Sequence, residues 1–208
     1  MEIYNVAQLG IMAVVISFLG FVLENVWLLV TKGYMDNRNM SLPFLLGYGG
    51  AVVGMYVTLG TPEEMVLFGY MSMKKHSLRA RLFMYFAVVF VLVSLGEIAM
   101  GKLIEMSTGI ICWDYTWLPM HVTRYTSVLT SLGFSLIITV FMNEFFVPIM
   151  TAIQSIDPVN CRNGCIVLLT LTSLDTMVSF NTMHNTHKLN QKWRAEPLLL
   201  KELRKKHS

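Results

Sequence analysis

The pattern of apolar and polar residues divides the chain into long uncharged stretches joined by short polar segments. Residues 3–23, 39–62 and 125–143 contain no Asp, Glu, Lys or Arg. A helix rises about 1.5 Å per residue, so roughly 20 apolar residues cross a hydrocarbon core about 30 Å thick. Helices are expected wherever such stretches face lipid, because lipid cannot satisfy the backbone hydrogen bonds. Hydropathy therefore predicts an all-α, polytopic transmembrane helix bundle.

Five spans are predicted from these stretches, and the second of them is short. It contains four glycines between residues 47 and 54, which fits a close-packed helix or a broken, re-entrant one. A polar hairpin is expected before the last span, over residues 151–164. We divide the chain into a transmembrane helical domain, residues 1–183, and a basic tail, residues 184–208. The predicted spans are approximately Val6–Thr31, Phe44–Leu59, Leu82–Ile111, Tyr125–Met150 and Cys165–Met183.

The composition agrees with a membrane protein and argues against other classes. Hydrophobic residues make up 54% of the chain and charged residues 14%, whereas soluble domains average about 25% charged residues. The cysteines lack zinc-site spacing and no phosphate-binding P-loop is present, so we expect no metal, no cofactor and no ATP hydrolysis by this chain. We expect a multi-pass protein of the cell membrane, surrounded by lipid, with no nucleic-acid partner. Its orientation stays open, because the basic segment 74–81 and the basic tail nearly balance.

A short internal repeat relates the first and third spans. The segment Ser17–Gly20 is similar to Val93–Gly96, and intramembrane glutamate follows each copy. Each copy then continues through a glycine to an acidic, aromatic loop, a proline and a further span. With five spans the copies run in the same direction, and repeats of this kind are typical of transporter folds. We therefore expect the two loops to lie on one membrane side and touch, with Arg38 paired to Asp114 or Glu105.

The third span has a stripe of polar residues on one face. Its members are three or four positions apart, which places them on one side of a helix with 3.6 residues per turn. A charge at the bilayer centre costs roughly 2.5 to 3.5 kcal/mol, so this face is expected to contact protein or water. The opposite face, with Val91, Ile98 and Leu103, is expected to contact lipid or apolar neighbours. The stripe consists of Ser94, Glu97, Gly101, Glu105 and Thr108.

The fourth span has a comparable stripe of hydroxyl residues. Such side chains often bond only the preceding turn of their own helix or a neighbouring helix, which is the simpler explanation here. Together with polar positions on the first and last spans, the stripes predict a bundle with a polar interior. The stripe consists of Ser127, Ser131, Ser135, Thr139 and Asn143.

Acidic residues inside the spans are the strongest indication of function. Intramembrane acids mark ion pathways, proton relays or substrate sites by default. The candidates are Glu24, Glu97 and Glu105, together with Asp175 near the middle of the last span. An architectural ion pair is the alternative, since Lys102 lies three residues before Glu105 and within reach on the helix surface.

Two loops concentrate polar and aromatic side chains. Residues 36–39 read Asp-Asn-Arg-Asn, and residues 113–117 combine Asp114 with tryptophan and tyrosine. The aromatic residues are expected anyway as anchors at the membrane interface, but the acid is not. His121 and Arg124 follow, so the second loop holds an acid, an imidazole and a guanidinium, although no nucleophile motif is present.

These motifs together resemble a known family. Between Phe18 and Ser179 the chain is similar to the small membrane proteins called putative ABC-transporter type IV, or CmpB-like. That resemblance implies a permease that works with a separate ATPase. The motifs are Glu24, Asn37-Arg38, Pro43 and Gly47-Tyr48-Gly49 in the first half, and Glu97, Glu105, Gly109, Trp113-Asp114-Tyr115-Thr116 and Asp175 in the second.

Three functions are compatible with the sequence. The first is a permease-like protein that moves a solute or ion through a polar cavity lined by the intramembrane glutamates. The second is a membrane-embedded enzyme acting on a lipid or polyprenyl substrate, and the third is a non-catalytic membrane scaffold or sensor. The oligomeric state stays open. The residues assigned to the candidate site are Glu24, Asn37, Arg38, Glu97, Glu105, Trp113, Asp114, Tyr115, His121, Arg124 and Asp175.

Overall fold

The computed structural model describes residues 4–67 and 70–196, and the elements below lie within those ranges. The helices are α1 (Val6–Lys32), α2 (Leu46–Leu59), α3 (Leu78–Thr108), α4 (Val128–Val140), α5 (Phe146–Gln154) and α6 (Pro158–Thr186). A π-helical turn, Phe141–Phe145, joins α4 and α5 into one helix. The short strands are β1 (Met35–Asp36), β2 (Val66–Leu67), β3 (Met71–Ser72), β4 (His121–Thr123), β5 (Thr126–Ser127) and β6 (Arg194–Ala195). They form three antiparallel pairs, β1–β6, β2–β3 and β4–β5.

Four helical segments are long and apolar enough to cross a bilayer. They are α1, α3, the continuous helix Val128–Gln154 and α6. The remaining predicted span is α2, whose 14 residues extend only about 21 Å. The protein is therefore an all-α helical membrane bundle, as the sequence predicts, built from four long helices and one short helix.

Local sequence signals set the ends of the long helices. The side chain of Asn5 accepts a hydrogen bond from the N–H of Gln8 at 2.9 Å, and the Gln8 side chain accepts one from the N–H of Asn5. This capping box begins α1. Gly33 and Gly109 end α1 and α3 with φ of +77° and +72°, a left-handed conformation that glycine adopts without strain. The two helices thus end in the same way.

The last helix begins earlier than predicted. The polar hairpin expected over residues 151–164 is wrong for most of its length, because α6 already begins at Pro158. The Asp157 carboxylate accepts from the N–H groups two and three residues later, both at 3.1 Å, and proline suits the first helical position. Residues 160–164 therefore extend the last span as a polar helical end.

The bundle consists of two helix hairpins and a final helix. In the first hairpin α1 packs against α2, and in the second α3 packs against α4; α6 contacts both α1 and α3. The segment that joins the helices of the first hairpin is called loop A (residues 33–45), and its counterpart in the second hairpin is called loop B (residues 109–127). In both hairpins the loop turns back along the first helix before the second helix begins.

Loop A descends deep along α1. The N–H of Leu45 donates to the carbonyl oxygen of Ser17 at 3.0 Å, and Ser17 lies sixteen residues before the end of α1 at Gly33. At 1.5 Å per residue the descent is about 24 Å. An irregular backbone at such depth is tolerated only where protein or a cavity surrounds it. The length of this descent explains why α2 is short.

Loop B makes a similar but shallower descent along α3. The hydroxyl of Thr126 donates to the carboxylate of Glu97 at 2.6 Å, and Glu97 lies twelve residues before the end of α3 at Gly109. The descent is therefore about 18 Å. Both second helices begin within the depth of the bundle, where polar backbone groups need partners.

The opposite end of the bundle is packed with aromatic and methionine side chains. The rings of Tyr56 and Phe146 stack with centroids 4.6 Å apart, and Tyr4 packs against both. Met142 and Met150 are fully buried beside them. We call this cluster the apolar plug. Polar loops therefore occupy one end of the molecule and the apolar plug the other.

The chain after α6 folds back onto loop A. Strand β6 pairs with β1, and the Asn37 side chain donates to the carbonyl of Asn190 at 2.8 Å. The same side chain accepts from the N–H of Lys192 at 2.9 Å. The described part of the predicted basic tail is thus packed against the bundle. Residues 197–208, which contain most of its basic cluster, lie outside the described residues.

Candidate functional site

Loops A and B meet at a crevice between the C-terminal ends of α1 and α3. An outer cleft of about 450 Å³ is lined by the end of α1 and by loop B. A narrow inner pocket of about 50 Å³ continues from it and reaches Glu24 and Arg38. Because Arg38 and Asp114 line the same pocket, the two loops lie on one side, as the parallel repeat predicts.

Glu24 on α1 is held by two groups of the first hairpin. A guanidinium nitrogen of Arg38 lies 3.1 Å from its carboxylate, and the Tyr48 hydroxyl donates to the same carboxylate. The expected pairing of Arg38 with Asp114 or Glu105 is wrong. The Asp36 carboxylate accepts from the N–H of Arg38 at 2.8 Å, and Arg38 has φ of +46°. This tight turn directs the Arg38 side chain towards Glu24 on α1.

Glu105 on α3 has the corresponding partners in the second hairpin. The Tyr125 hydroxyl donates to its carboxylate, and a guanidinium nitrogen of Arg124 lies 3.7 Å away. In loop B the Asp114 carboxylate accepts from the N–H of Thr116 at 2.8 Å, as Asp36 does from Arg38 in loop A. The two hairpins therefore repeat a glutamate, a tyrosine, an arginine and an aspartate turn.

Glycines four residues before each glutamate make room for the tyrosines. A Cβ on Gly20 would come within 2.4 Å of the Tyr48 ring, and one on Gly101 within 2.3 Å of the Tyr125 ring. The repeat therefore matches Gly20 with Gly101. The sequence comparison matched Gly20 with Gly96, which has open space beside it. The shared pattern Gly-x-x-x-Glu is the sequence signal that identifies the structural register.

Glu97 lies deeper than Glu105 on the same face of α3. Its Oε2 accepts from the hydroxyls of Thr126 at 2.6 Å and Ser131 at 3.1 Å. These hydroxyls lie 2.9 Å from each other at the start of α4. Gly101 and Thr108 are buried and the rest of the stripe is partly buried, whereas Leu95 and Leu103 are exposed. The polar stripe of the third span thus faces protein, as predicted.

The aromatic residues of loop B position the loop over the inner pocket. The indole N–H of Trp113 donates to the carbonyl of Tyr125 at 3.0 Å, and the N–H of Tyr115 donates to the carbonyl of Arg124 at 2.8 Å. Burial raises the pKa of Tyr115 well above the ordinary phenol value, and the nearby carboxylates of Glu24 and Glu97 raise it further. Tyr115 therefore remains a neutral hydroxyl in the inner pocket that it lines together with Glu24.

The charged groups of loop B lie at the mouth of the crevice. The hydrogen bond from the Thr116 amide lowers the pKa of Asp114, and the charge of Arg124 lowers it further, so this carboxylate is ionised. His121 is exposed and its ring Nδ1 lies 3.1 Å from the carbonyl of Leu118. Asp114, His121 and Arg124 thus form an exposed group, while Glu24 and Arg38 lie at the bottom of the pocket.

Two of the predicted site residues hold loop A in place. The Asp175 carboxylate of α6 accepts from the N–H groups of Ser41 at 3.0 Å and Leu42 at 2.8 Å. Asn37 bonds the C-terminal segment and the carbonyl of Met40 at 2.8 Å. These contacts satisfy backbone groups of an irregular segment at membrane depth. The partners missed from the sequence include Tyr48, Tyr125, Thr126, Ser131 and Asn190.

Comparison with known proteins agrees with the motifs. The family model of the putative ABC-transporter type IV proteins matches residues 11–180. No curated protein and no solved structure matches the chain. Since the match covers the whole bundle apart from the first turn of α1 and the end of α6, the chain belongs to the putative ABC-transporter type IV family of membrane proteins.

Proposed function

We propose that the chain is a multi-pass permease-like component of the cell membrane that accepts a small polar solute or ion in the crevice between loops A and B. The observation that supports this is a row of polar groups that continues from the crevice towards the opposite end of the bundle. A permease requires such a row, whereas a scaffold does not.

The row begins at the inner pocket and continues along α4. Tyr115 lines the inner pocket together with Glu24, and Glu97 accepts a hydrogen bond from Ser131. From Ser131 the hydroxyl stripe of α4 is buried through positions 135 and 139, whose hydroxyls donate to carbonyls one turn earlier in the same helix as expected from the sequence, and it reaches Asn143 in the π-helical turn. π-helical turns occur frequently at functional sites, because they interrupt the regular helix hydrogen bonds. The apolar plug closes the far end, as expected for a carrier that opens to one side at a time.

The inner pocket fits a small group with a hydrogen-bond acceptor. Its 50 Å³ hold a few water molecules, an ion or one functional group of a larger solute. The Nε of Arg38 is buried and has no hydrogen-bond partner among the described residues. A buried N–H without an acceptor is costly, so an oxygen of the solute would stabilise it. Lys32, Trp27 and Trp113 line the same pocket and offer a charge and aromatic faces.

Energy for transport would come from a separate ATPase subunit or from a coupled ion. The chain contains no phosphate-binding P-loop, so an ABC-type mechanism needs a second protein that hydrolyses ATP. The family name supports such a partner. A direct test is affinity purification from mild detergent in the presence of crosslinker, in which an ATPase is expected to copurify.

The enzyme alternative has weaker support. It requires free acid–base and phosphate-binding groups in loop B, yet the carboxylate of Glu105 is bonded by Tyr125 and lies within 3.7 Å of Arg124. Asp114 and His121 are exposed near the cleft mouth without a nucleophile motif. Hydrolysis of polyprenyl or phospholipid substrates by the purified protein would favour this alternative over transport.

Accessibility along α4 tests the proposed pathway. After replacement of the three native cysteines by alanine, Ser135→Cys and Thr139→Cys are each labelled with a small, water-soluble thiol reagent in membrane vesicles. Leu136→Cys is the control, because Leu136 is exposed on the outer face of the bundle where lipid is expected. We expect labelling of positions 135 and 139 and none of position 136. Labelling of none of the three would contradict a water-accessible pathway at these positions.

A further inference from the structure

Glu97 differs from the other two glutamates in having only hydroxyl partners. Thr126 and Ser131 both donate to its Oε2, and within the described part of the chain no Lys, Arg or His lies within ion-pair distance of it. Glu24 and Glu105, by contrast, each have an arginine. Glu97 is thus an acid at membrane depth without a counter-charge from these residues.

The charged residues on α3 and α1 do not provide a counter-charge for Glu97. On α3, Lys102 is exposed and lies five residues away, on another face of the helix, and Glu105 is held by Arg124. On α1 the nearest titratable group is Glu24, which is itself acidic and bound to Arg38. Helix α4 contains no titratable residue.

The remaining elements offer neutral or already bonded groups. Tyr48 on α2 donates to Glu24, and Tyr115 of loop B is a neutral phenol near Glu97. Tyr125 of loop B donates to Glu105. On α6 the Asp175 carboxylate accepts from the amides of Ser41 and Leu42. Loop and helix neighbours together therefore provide no cation for Glu97.

The oxygens around Glu97 are a poor set of ligands for a metal cation. Oε2 of Glu97 and the two hydroxyl oxygens form a triangle with sides of 2.6, 2.9 and 3.1 Å. A cation bound here would have one carboxylate oxygen and two neutral hydroxyls as its protein ligands, and the described residues contain no group of three or more Asp, Glu, His or Cys that could hold a metal ion. Each hydroxyl has one hydrogen, so Oε2 is the shared acceptor of two donors whose own oxygens lie 2.9 Å apart.

We propose that Glu97 is a proton-binding site within the membrane, protonated on Oε1 in the resting protein, and that its proton is the ion coupled to solute movement. An ionised acid without a partner is costly at this depth, and a proton on Oε1 removes the charge while Oε2 keeps both hydroxyl donors. On release, the Oε1–H bond breaks and the proton passes to water in the crevice. The inference extends the proposed function, on which its coupling part rests.

The arrangement of Glu24 and Glu97 would couple the binding of the solute to the binding of the proton. The negative charge of Glu24 opposes a negative charge on Glu97, and Arg38 offsets that effect while it is bound to Glu24. A solute oxygen that draws Arg38 away from Glu24 leaves Glu24 more exposed as an anion. Glu97 then retains its proton more strongly, so solute and proton bind together.

Infrared difference spectroscopy of the purified protein tests the proton site without any solute. A protonated carboxyl gives a C=O stretching band that shifts in heavy water and disappears when the acid is removed. We expect this band at neutral pH in the wild type and its loss in Glu97→Gln. Glu105→Gln is the matched control and is expected to retain the band, because Glu105 has an arginine partner.

A second variant keeps the test decisive if Glu97→Gln does not fold. Ser131→Ala removes one of the two donors to Oε2, so the carbonyl band of Glu97 is expected to move to higher frequency. A wild type without a protonated-carboxyl band, or with a band unchanged in both variants, overturns the proposal. Loss of the band on addition of sodium ions at constant pH also overturns it and assigns a metal cation. Each of these results leaves the permease proposal standing, since that is tested by labelling along α4.

Discussion

The Glu24–Tyr48–Arg38 cluster of the first hairpin and the Glu105–Tyr125–Arg124 cluster of the second contain the same three side chains in different surroundings. In the first, the arginine and glutamate side chains are 18% and 17% exposed and their charged atoms are 3.1 Å apart. In the second, they are 45% and 41% exposed and 3.7 Å apart. Water competes for the second pair far more than for the first.

The difference originates outside the clusters. Loop A is held by Asp175 of α6 and by the C-terminal segment through Asn37 and Asn190. In the second hairpin, the hydrogen bonds of His184 and His187 go to carbonyls at the end of α3 rather than to loop B. The same set of partners is thus a buried cluster where α6 and the C-terminal segment cover the loop, and a more exposed cluster where they do not. We therefore expect loop A to form the fixed side of the crevice and loop B to form the side that changes position more easily.

The largest difference in unfolding free energy is expected between substitutions of Glu24 and Glu105. Glu24→Gln leaves the guanidinium of Arg38 mostly buried with only Asp36, at 3.8 Å, so we expect a loss of about 3 kcal/mol in unfolding free energy. Glu105→Gln is expected to cost less than about 1 kcal/mol, because exposed ion pairs contribute little. Thermal unfolding of both variants in the same detergent measures the contrast. Addition of Arg38→Met to Glu24→Gln should recover part of the loss, and equal losses for the two single variants would contradict the comparison.

The glycines are expected to behave alike in the two hairpins. Gly20→Ala and Gly101→Ala each place a methyl group against a tyrosine ring, and we expect each to cost about 2 kcal/mol through overpacking. Gly96→Ala is the control, because nothing lies within 4 Å of the added Cβ, and alanine favours the helix over glycine. Unfolding of the three variants is compared in detergent. If Gly101→Ala does not change the unfolding free energy, the ring of Tyr125 does not pack against α3 as described.

Removal of the tyrosine hydroxyls is also expected to destabilise the first hairpin more than the second, but with a smaller loss of unfolding free energy. Tyr48→Phe removes a donor to a mostly buried carboxylate and is expected to cost about 1.5 kcal/mol. Tyr125→Phe is expected to cost about 0.5 kcal/mol, since water can replace the donor at the exposed Glu105. Unfolding measurements of the two phenylalanine variants give both values. A greater loss for Tyr125→Phe would reverse the assignment of the buried and exposed clusters.

The smallest effect is expected for Asp114 and depends on pH. Its pKa is lowered in the folded protein, so its contribution to stability is complete above the ordinary carboxyl value of about 4 and is lost as the pH falls through the lowered value. Because Asp114 is exposed, we expect less than about 1 kcal/mol. Asp114→Asn keeps an acceptor for the Thr116 amide and should reduce the loss of stability on acidification. A greater loss of stability on acidification in Asp114→Asn than in the wild type would contradict this prediction.

Hydropathy and helix signals were sufficient for the helices but not for their contacts. The uncharged stretches indicate α1, α2 and α4, because segments that face lipid must be apolar helices. The stripe on α3 correctly indicated which side of that helix faces protein. The start of α6 was misplaced because polar residues 160–164 continue a helix beyond the apolar stretch, where hydropathy gives no signal.

The partners within the site depend on backbone geometry that spacing does not determine. Arg38 was expected to reach the second hairpin, yet its positive φ and the Asp36 turn direct it to Glu24. The position of Asp175 inside a span predicts a place in the site, and in the structure its carboxylate accepts from the amides of loop A. Such a role depends on the descent of loop A, which no pattern of residues indicated.

The contact between loop A and the C-terminal segment has a consequence for biosynthesis. Asn37 and Asn190 are 153 positions apart in the chain, which at 5–20 residues per second corresponds to a delay of about 8–30 s. Until then the amides and carbonyls of loop A lack part of their partners, and Asp175 also emerges late. The first hairpin made by the ribosome is therefore among the last parts of the protein to reach its final form. A chaperone or the insertion machinery would have to shield this hairpin until the last helix is inserted.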